Sequence, residues 1–475
     1  MSNSGSSAIG LAALEADLAR DLDWLNHPAK DWIPPASGAD GQEVLDVLVV
    51  GAGMNGLCAA FALRRQGVSR IRQIDAAPSG HEGPWLTYAR MEYLRSPKHL
   101  TGPALGLARL TFRAWWEAQH GSEGWEALGY IRREDWARYL TWYARVTGAE
   151  IENSTRLISL NVEGDLVVAD LASGKRHETI TARQVVLATG REGQAVPRIP
   201  KAFAPFVGRG VQHSSDRLEV ASLRGRKVVV VGLSASAFDN ACIAAEEGAE
   251  VTLLGRATAI PTVNKMKQTV YPGFAQGFPE LPDAERVAWL RYIASCRTAP
   301  PRHTVLRAAR AGVRIELGVE TSEVLRHGDH LRLVTSGGVF GAEHVVLGTG
   351  FRFDLAAEPA LDRIAENVLL WRDVSEEVAA IEDEYLACPA LGPGFEFRPK
   401  PGAVAAGLGR VRCFTHAAQP SLGNLANDIP QASEGAERLA RAIARDLFIE
   451  DAALHRGALE AYADPELLGD ELRVT

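Results

Sequence analysis

The apolar positions of this chain change period several times, and each change marks an element. Ile9, Leu11, Leu14, Leu18, Leu22 and Leu25 recur mostly every three or four residues with acidic residues between them. That spacing predicts an amphipathic helix over Ala8–Leu25. It packs on the main body, or less simply on a partner, and ends near Pro28 and the Pro34-Pro35 pair. Asp46 to Val50 and Ile71 to Ile74 are short apolar runs of the kind found in buried strands. Residues 133–143 return to helical spacing, with Trp136, Tyr139, Leu140 and Tyr143 on one face. Three further strand-like runs follow at Leu157–Val162, Leu166–Ala169 and Gln184–Gly190. Strand, helix and strand then repeat at Arg226–Val231, Phe238–Glu247 and Glu250–Leu254, and a last apolar run starts at His344. A long helix over Ala432–Phe448 closes the pattern. Strands alternating with helices predict an α/β fold with parallel sheets.

What joins the first strand to its helix carries chemistry. Val50 runs into Gly51-Ala52-Gly53-Met54-Asn55-Gly56, a G-x-G-x-x-G turn followed by small and apolar residues at helical spacing. Gly51 permits the tight turn, Gly53 lets backbone N–H groups approach a pyrophosphate, and Gly56 lets the helix pack on the strand. Asp75 follows the second strand a little over twenty residues after Gly51, where a carboxylate can hydrogen-bond the ribose of an adenine dinucleotide. Ala188-Thr189-Gly190 ends a buried strand and brings backbone close to the same ligand. Trp85 follows a turn-rich stretch, Ala76 to Pro84, and is either a core aromatic or a stacking partner for a second ring system. The tryptophans at 115, 116, 125, 136 and 142 read first as the packed face of helices.

A second unit of the same design opens at Gly232. The turn runs Gly232-Leu233-Ser234-Ala235-Ser236-Ala237, with Ser234 where the middle glycine would stand, and Gly248 ends the helix. Arg256 follows the next strand where an acid would hold a free ribose hydroxyl, with Lys265 and Lys267 beyond it. A cation there favours a 2′-phosphate, hence NADPH over NADH. The unit closes at Gly348-Thr349-Gly350, echoing Ala188-Thr189-Gly190. An NADPH domain inserted into an FAD domain explains the order, giving two Rossmann-like dinucleotide-binding domains in one chain. The expected divisions are a helical extension over 1–43, the first part of the FAD domain over 44–220, the NADPH domain over 221–350, and the return to the FAD domain with its C-terminal helix over 351–475. Arg412 to His416 and the polar run Gly423 to Asp428 belong to that return.

Composition narrows the partners. The chain has 475 residues, of which 46% are hydrophobic and 23% charged, values ordinary for a globular protein of two or three domains. A net charge of −8 argues against nucleic acid as a partner. No apolar stretch is long enough to span a membrane, and Met1 to Ser7 lack the basic and apolar parts of a signal peptide, so the cytoplasm is expected. The five cysteines lie far apart with no C-x-x-C, which removes a redox dithiol and any cysteine-cluster metal site. No metal is expected, and a homo-oligomer is left open.

These residues resemble the class B flavin monooxygenases, single-chain enzymes with an FAD and an NADPH domain, over most of 44–450. Phe206-Val207-Gly208-Arg209-Gly210-Val211-Gln212-His213 looks like their F-x-G-x-x-x-H linker, with one extra residue between glycine and histidine. Leu94-Arg95-Ser96-Pro97-Lys98 and Pro261-Thr262-Val263-Asn264-Lys265 look more like the N-hydroxylating branch than the flavin-containing or Baeyer–Villiger branches. The resemblance implies that NADPH reduces FAD, that dioxygen adds at flavin C4a, and that the resulting (hydro)peroxyflavin oxygenates a small molecule. By the same analogy Lys98, Asn264 and His213 are catalytic candidates near the flavin and nicotinamide. Oxygenation of a nitrogen or sulfur centre is expected, N-hydroxylation foremost. Baeyer–Villiger attack on a ketone and a non-oxygenating flavoprotein reductase are the alternatives.

Overall fold

The protein is described by a computed structural model covering residues 4–38, 41–191, 193–379, 384–403, 407–426, 428–467 and 471. Asn427 of the polar run and Met1 to Asn3 lie outside the described residues. The first helix, α1, spans Ser4–Trp24 and ends four residues before Pro28. Its Leu18 and Leu22 are buried in the main core, and Glu15 accepts from Trp142 Nε1 at 3.0 Å, so this helix packs on its own chain.

The first sheet begins with β1 (Ala36–Ser37), antiparallel to β2 (Glu43–Val50). From Val47 to Val50 β2 is buried throughout. That follows from its place between two parallel neighbours under helices, where both faces are covered. After α2 (Met54–Arg65), β3 (Ile71–Ile74) pairs parallel with β2. Next come α3 (Phe112–Ala127) and α4 (Arg133–Val146), which carry the clustered tryptophans. Phe112, Trp115, Trp136 and Tyr139 pack ring against ring, and the buried Tyr139 hydroxyl donates to Leu110 O at 2.7 Å. The aromatic run is therefore core, as its spacing predicted.

The sheet is completed by β4 (Ile151–Glu152), β5 (Arg156–Glu163), β6 (Leu166–Ser173) and β7 (Arg176–Leu187) in the order β4-β3-β2-β7-β6-β5. The first half of β7 pairs antiparallel with β6, while its end, Gln184–Leu187, pairs parallel with β2.

The chain then crosses through β8 (Ala195–Pro197) into β9 (Val211–His213), β10 (Lys227–Val231), α5 (Ala235–Glu246), β11 (Glu250–Gly255) and β12 (Arg314–Leu317). A meander of β13 (Thr321–His327), β14 (His330–Thr335) and β15 (Gly338–Ala342) precedes β16 (His344–Leu347). The second sheet has the order β12-β11-β10-β16-β9 and is parallel throughout. β9, which lies before the boundary expected at residue 221, pairs with β16 in this sheet. Three residues show no period of their own, and only long-range pairing marks them as a strand.

The return crossing is β17 (Phe351–Phe353), which pairs antiparallel with β8, so the two connections form one ribbon. Finally β18 (Val411–Cys413) adds parallel to the end of β7, Val411 opposite Val185 and Cys413 opposite Leu187. The helix Ala432–Glu450 buries Ala436, Leu439, Ala440, Ile443 and Leu447 in the same core as α2. Among the described residues no helix is long and apolar enough to cross a membrane, and no group of three metal-ligating side chains occurs.

Candidate active site

The turn after β2 is built for close backbone approach. Gly51 has φ +107°, and a Cβ there would lie 2.4 Å from Ala188 O at the end of β7. A Cβ on Gly56 would lie 2.0 Å from Gly51 O, so α2 can sit on its strand only without a side chain at that position. Gly53 caps α2 with no side-chain acceptor for the first N–H groups, and Met54 and Asn55 form the first turn. Those N–H groups at a positive helix end suit a pyrophosphate. Asn55 Nδ2 donates to Ala426 O at 2.5 Å, while its buried Oδ1 has no partner among the described residues.

Asp75, expected at the ribose, shapes the turn itself. One carboxylate oxygen accepts from Ala52 N–H at 2.7 Å and the other from Ala77 N–H at 2.7 Å. A cleft opens beside it, floored by Ala52 and Gly53 and walled by Ser79, Gly80, Glu82 and Trp85. Trp85 is half-buried and packs edge-on against Trp136, and its indole N–H has no partner among the described residues. The far wall is the small-residue face of α4, Ala137, Thr141 and Ala144. Sequence reasoning missed this wall because the aromatic face of the same helix dominated its pattern. Small residues at i, i+4 and i+7 were the signal that marks it. Asn153 was missed too: its Nδ2 donates to Glu82 Oε1 at 2.6 Å and Ala77 O at 3.2 Å, holding the loop that rims the cleft. The glycine cradle, the uncapped helix start and the unpartnered polar atoms fit an adenine dinucleotide.

The second turn repeats this with one change. Gly232 has φ +129°, and a Cβ there would lie 2.4 Å from Gly348 O. Ser234, in place of the middle glycine, caps α5 by accepting from Ala237 N–H at 3.4 Å and donates to Gly348 O at 3.3 Å. The Ser234 hydroxyl is thus spent within the turn, and the N–H groups of the helix start are left to meet a ligand anion. Ser236 O accepts from Asn240 Nδ2 at 2.8 Å in the first turn of α5. Arg256, at the end of β11, is exposed and shows no ion pair among the described residues. Thr349 donates through its hydroxyl to Arg198 O. Gly350 O accepts from Arg198 N–H at 2.9 Å. These bonds fasten the G-T-G end to the crossing.

The three residues singled out for catalysis are all engaged with the protein. His213 Nε2 contacts Gly350 O at 2.9 Å, which requires its proton on Nε2, and Nδ1 then accepts from Ser215 Oγ at 2.7 Å. Burial holds this imidazole below its ordinary pKa. Lys98 Nζ donates to Trp125 O at 2.5 Å and lies 4.7 Å from the Trp125 ring centroid. Asn264 Oδ1 caps the 3-10 turn Lys265–Thr269 by accepting from Met266 N–H at 3.0 Å. The structure thus places His213 at the junction of the two units and gives Lys98 and Asn264 backbone partners.

At the A-T-G end, Gly190 has φ +70° and Thr189 Oγ1 is buried without a partner among the described residues. Ala188 and Phe414 leave the same carboxyl edge, since β7 and β18 are parallel neighbours. Ligands of open α/β sheets collect at that edge.

A family model described as pyridine nucleotide-disulphide oxidoreductase matches residues 45–271. The chain is 35% identical over 467 residues, 97% of its length and 98% of the relative's, to the FAD-dependent urate hydroxylase of Xanthomonas campestris pv. campestris. It shares its fold with ornithine hydroxylase from Pseudomonas aeruginosa at TM-score 0.67 and 16% identity, covering 85% of this chain and 100% of that one. L-lysine 6-monooxygenase from Pseudomonas syringae superposes at TM-score 0.65 and 17% identity over 84% of this chain and 99% of its own. With two glycine turns, each following a strand with parallel neighbours, and that identity along almost the whole of a curated relative, the chain belongs to the class B flavin-dependent monooxygenases, enzymes that work with FAD and NADPH.

Proposed function

We propose that this monooxygenase oxygenates a planar purine, urate being the first substrate to test. The single observation that carries this reading is the 35% identity to a urate hydroxylase along 98% of that relative. One dioxygen, one NADPH and one proton are consumed; one oxygen atom enters the substrate and the other leaves as water.

In this reading Gly51, Gly53 and the start of α2 hold the FAD pyrophosphate, with Asp75 shaping the turn by accepting from the Ala52 and Ala77 N–H groups. Gly232, Ser234 and the start of α5 hold NADPH, and Arg256 meets its 2′-phosphate. The bound flavin supplies reduction by NADPH and activation of dioxygen. The chain's share is placement and water exclusion. His213, with both ring nitrogens used, ties the Gly350 backbone at the end of the second sheet to β9. Lys98 and Asn264, the candidates that the resemblance to the N-hydroxylating branch offered, bond to backbone here and lend amine N-oxygenation no support.

The test is a screen of the flavin-loaded enzyme for NADPH consumption coupled to product. Urate is expected to give product with little peroxide, while ornithine, lysine, sulfides and ketones give peroxide alone. Coupled turnover of an amine and none with urate would overturn the reading.

A further inference from the structure

We infer that Arg191 and His416 form the binding pair for an anionic, planar N-heteroaromatic substrate, an inference that rests on the purine reading above. Both stand at the carboxyl edge of the first sheet. Arg191 follows Ala188-Thr189-Gly190 at the end of β7, and His416 follows β18, the parallel neighbour of β7. Arg191 Nη2 lies 3.3 Å from His416 Nε2. A guanidinium only donates, so Nε2 must accept, which leaves the proton of a neutral imidazole on Nδ1. Burial and the Arg191 charge both push the His416 pKa well down, in agreement with that tautomer.

The pair is backed by aromatic faces from the crossing ribbon. The Arg191 guanidinium sits 5.8 Å from the Phe351 ring centroid, and His416 stacks on Phe353 at 5.6 Å. His213 in turn packs edge-on against Phe351 at 5.1 Å. No carboxylate pairs with Arg191 among the described residues, and besides His416 the groups that act on it are Tyr88, Arg95 and Tyr385. Arg95 is itself paired with Asp239. An exposed guanidinium that shares its surroundings with another cation and leans on a neutral imidazole is poised for an external anion.

A second observation points to a ligand. Gln194 is 3% exposed and fastens the loop that carries Arg191 to the start of the His416 turn. Its Oε1 accepts from Thr415 Oγ1 at 2.7 Å and from Cys413 Sγ at 3.0 Å. Its Nε2 donor has no partner among the described residues. Guanidinium and imidazole N–H are two kinds of donor beside two aromatic rings, and Gln194 adds a buried, unpartnered amide N–H on the segment that follows Arg191. That set suits a flat ring bearing carbonyl oxygens and delocalised negative charge. The pyrophosphate of NADPH offers the same charge without the flat ring, and the experiment separates the two.

Arg191→Gln and Arg191→Lys are prepared as flavin-loaded enzymes, with flavin content and melting temperature matched to wild type. Arg191→Gln is expected to raise KM for urate about thirtyfold while the anaerobic rate of flavin reduction by NADPH stays unchanged, and Arg191→Lys about tenfold because the fork is lost while the charge remains. An unchanged KM for urate, or a rise in KM for NADPH instead, would overturn the inference. If the wild-type enzyme shows no urate-dependent consumption, the purine reading has failed, and the site is then tested by binding alone. Titration of the flavin absorbance with orotate and with neutral caffeine should show a response to orotate only, lost in Arg191→Gln. Equal responses to both, or a response that survives in the variant, would sink it.

Discussion

Arg95, on the loop after Leu94, reaches across to α5 of the second unit, its Nη2 lying 3.1 Å from Asp239 Oδ2. The Asp239 side chain is 4% exposed and the Arg95 side chain 45%. Burial lifts the Asp239 carboxyl above its ordinary range despite the nearby guanidinium. This bridge between a buried acid and a solvent-facing cation joins the two dinucleotide units, beside a longer contact of 3.9 Å between Arg307 and Glu92.

Removing the cation strands the acid. Arg95→Ala should destabilise the protein by about 1–3 kcal/mol, and Asp239→Asn by less, because an amide tolerates burial better than an unpaired carboxylate. Chemical denaturation of both variants and of the double variant checks this. An additive double variant would show that the two side chains do not interact.

The first glycine turn admits no side chain. Gly51→Ala places a methyl group 2.4 Å from Ala188 O at a positive φ. Strain of about 1–3 kcal/mol should weaken flavin binding tenfold or more, and the variant should purify with most of its yellow colour lost. Absorbance after gel filtration gives the answer, and a fully loaded variant would show that this turn does not carry the flavin.

The proposed contact of Arg256, at the end of β11, with the 2′-phosphate has a direct test. Arg256→Gln should raise KM for NADPH about tenfold and leave KM for NADH unchanged, since only NADPH carries the 2′-phosphate. Equal effects on both coenzymes would place the residue elsewhere in recognition.

Acid should loosen the fold through buried imidazoles. Burial and Arg226 hold His344 below its ordinary pKa, so it stays neutral in the native state where the unfolded chain is protonated, below about pH 6.5. The unfolded state then binds more protons, and stability falls as pH falls through that value. Asp428, which burial lifts to about 6, acts in the opposite sense between about pH 4 and 6, being protonated in the native state only. The informative quantity is therefore the difference between variants. His344→Leu should make the acid limb shallower by up to about 1.4 kcal/mol per pH unit. Parallel limbs for variant and wild type would refute the assignment.

The strand-turn-helix units at Gly51 and Gly232 were legible in the sequence because a β-branched run, a glycine turn and a helical spacing are all local features. α1, α4, β5, β6 and the C-terminal helix were readable for the same reason. β9 was not, since three residues carry no period and pairing with β16 alone defines it. The meeting of Arg191 with His416 was not legible either. It depends on the parallel register of β7 with β18, which lie more than two hundred residues apart. Lys98 and Asn264 stood in stretches that look like family motifs, yet motif position says nothing about which backbone carbonyl or amide a side chain meets.

The most direct test of the account is turnover under isotopically labelled dioxygen with urate, NADPH and the flavin-loaded enzyme, product and peroxide being measured together. The account predicts one labelled oxygen atom in the product for each NADPH oxidised and little peroxide. Label found only in peroxide, with urate unchanged, would contradict it.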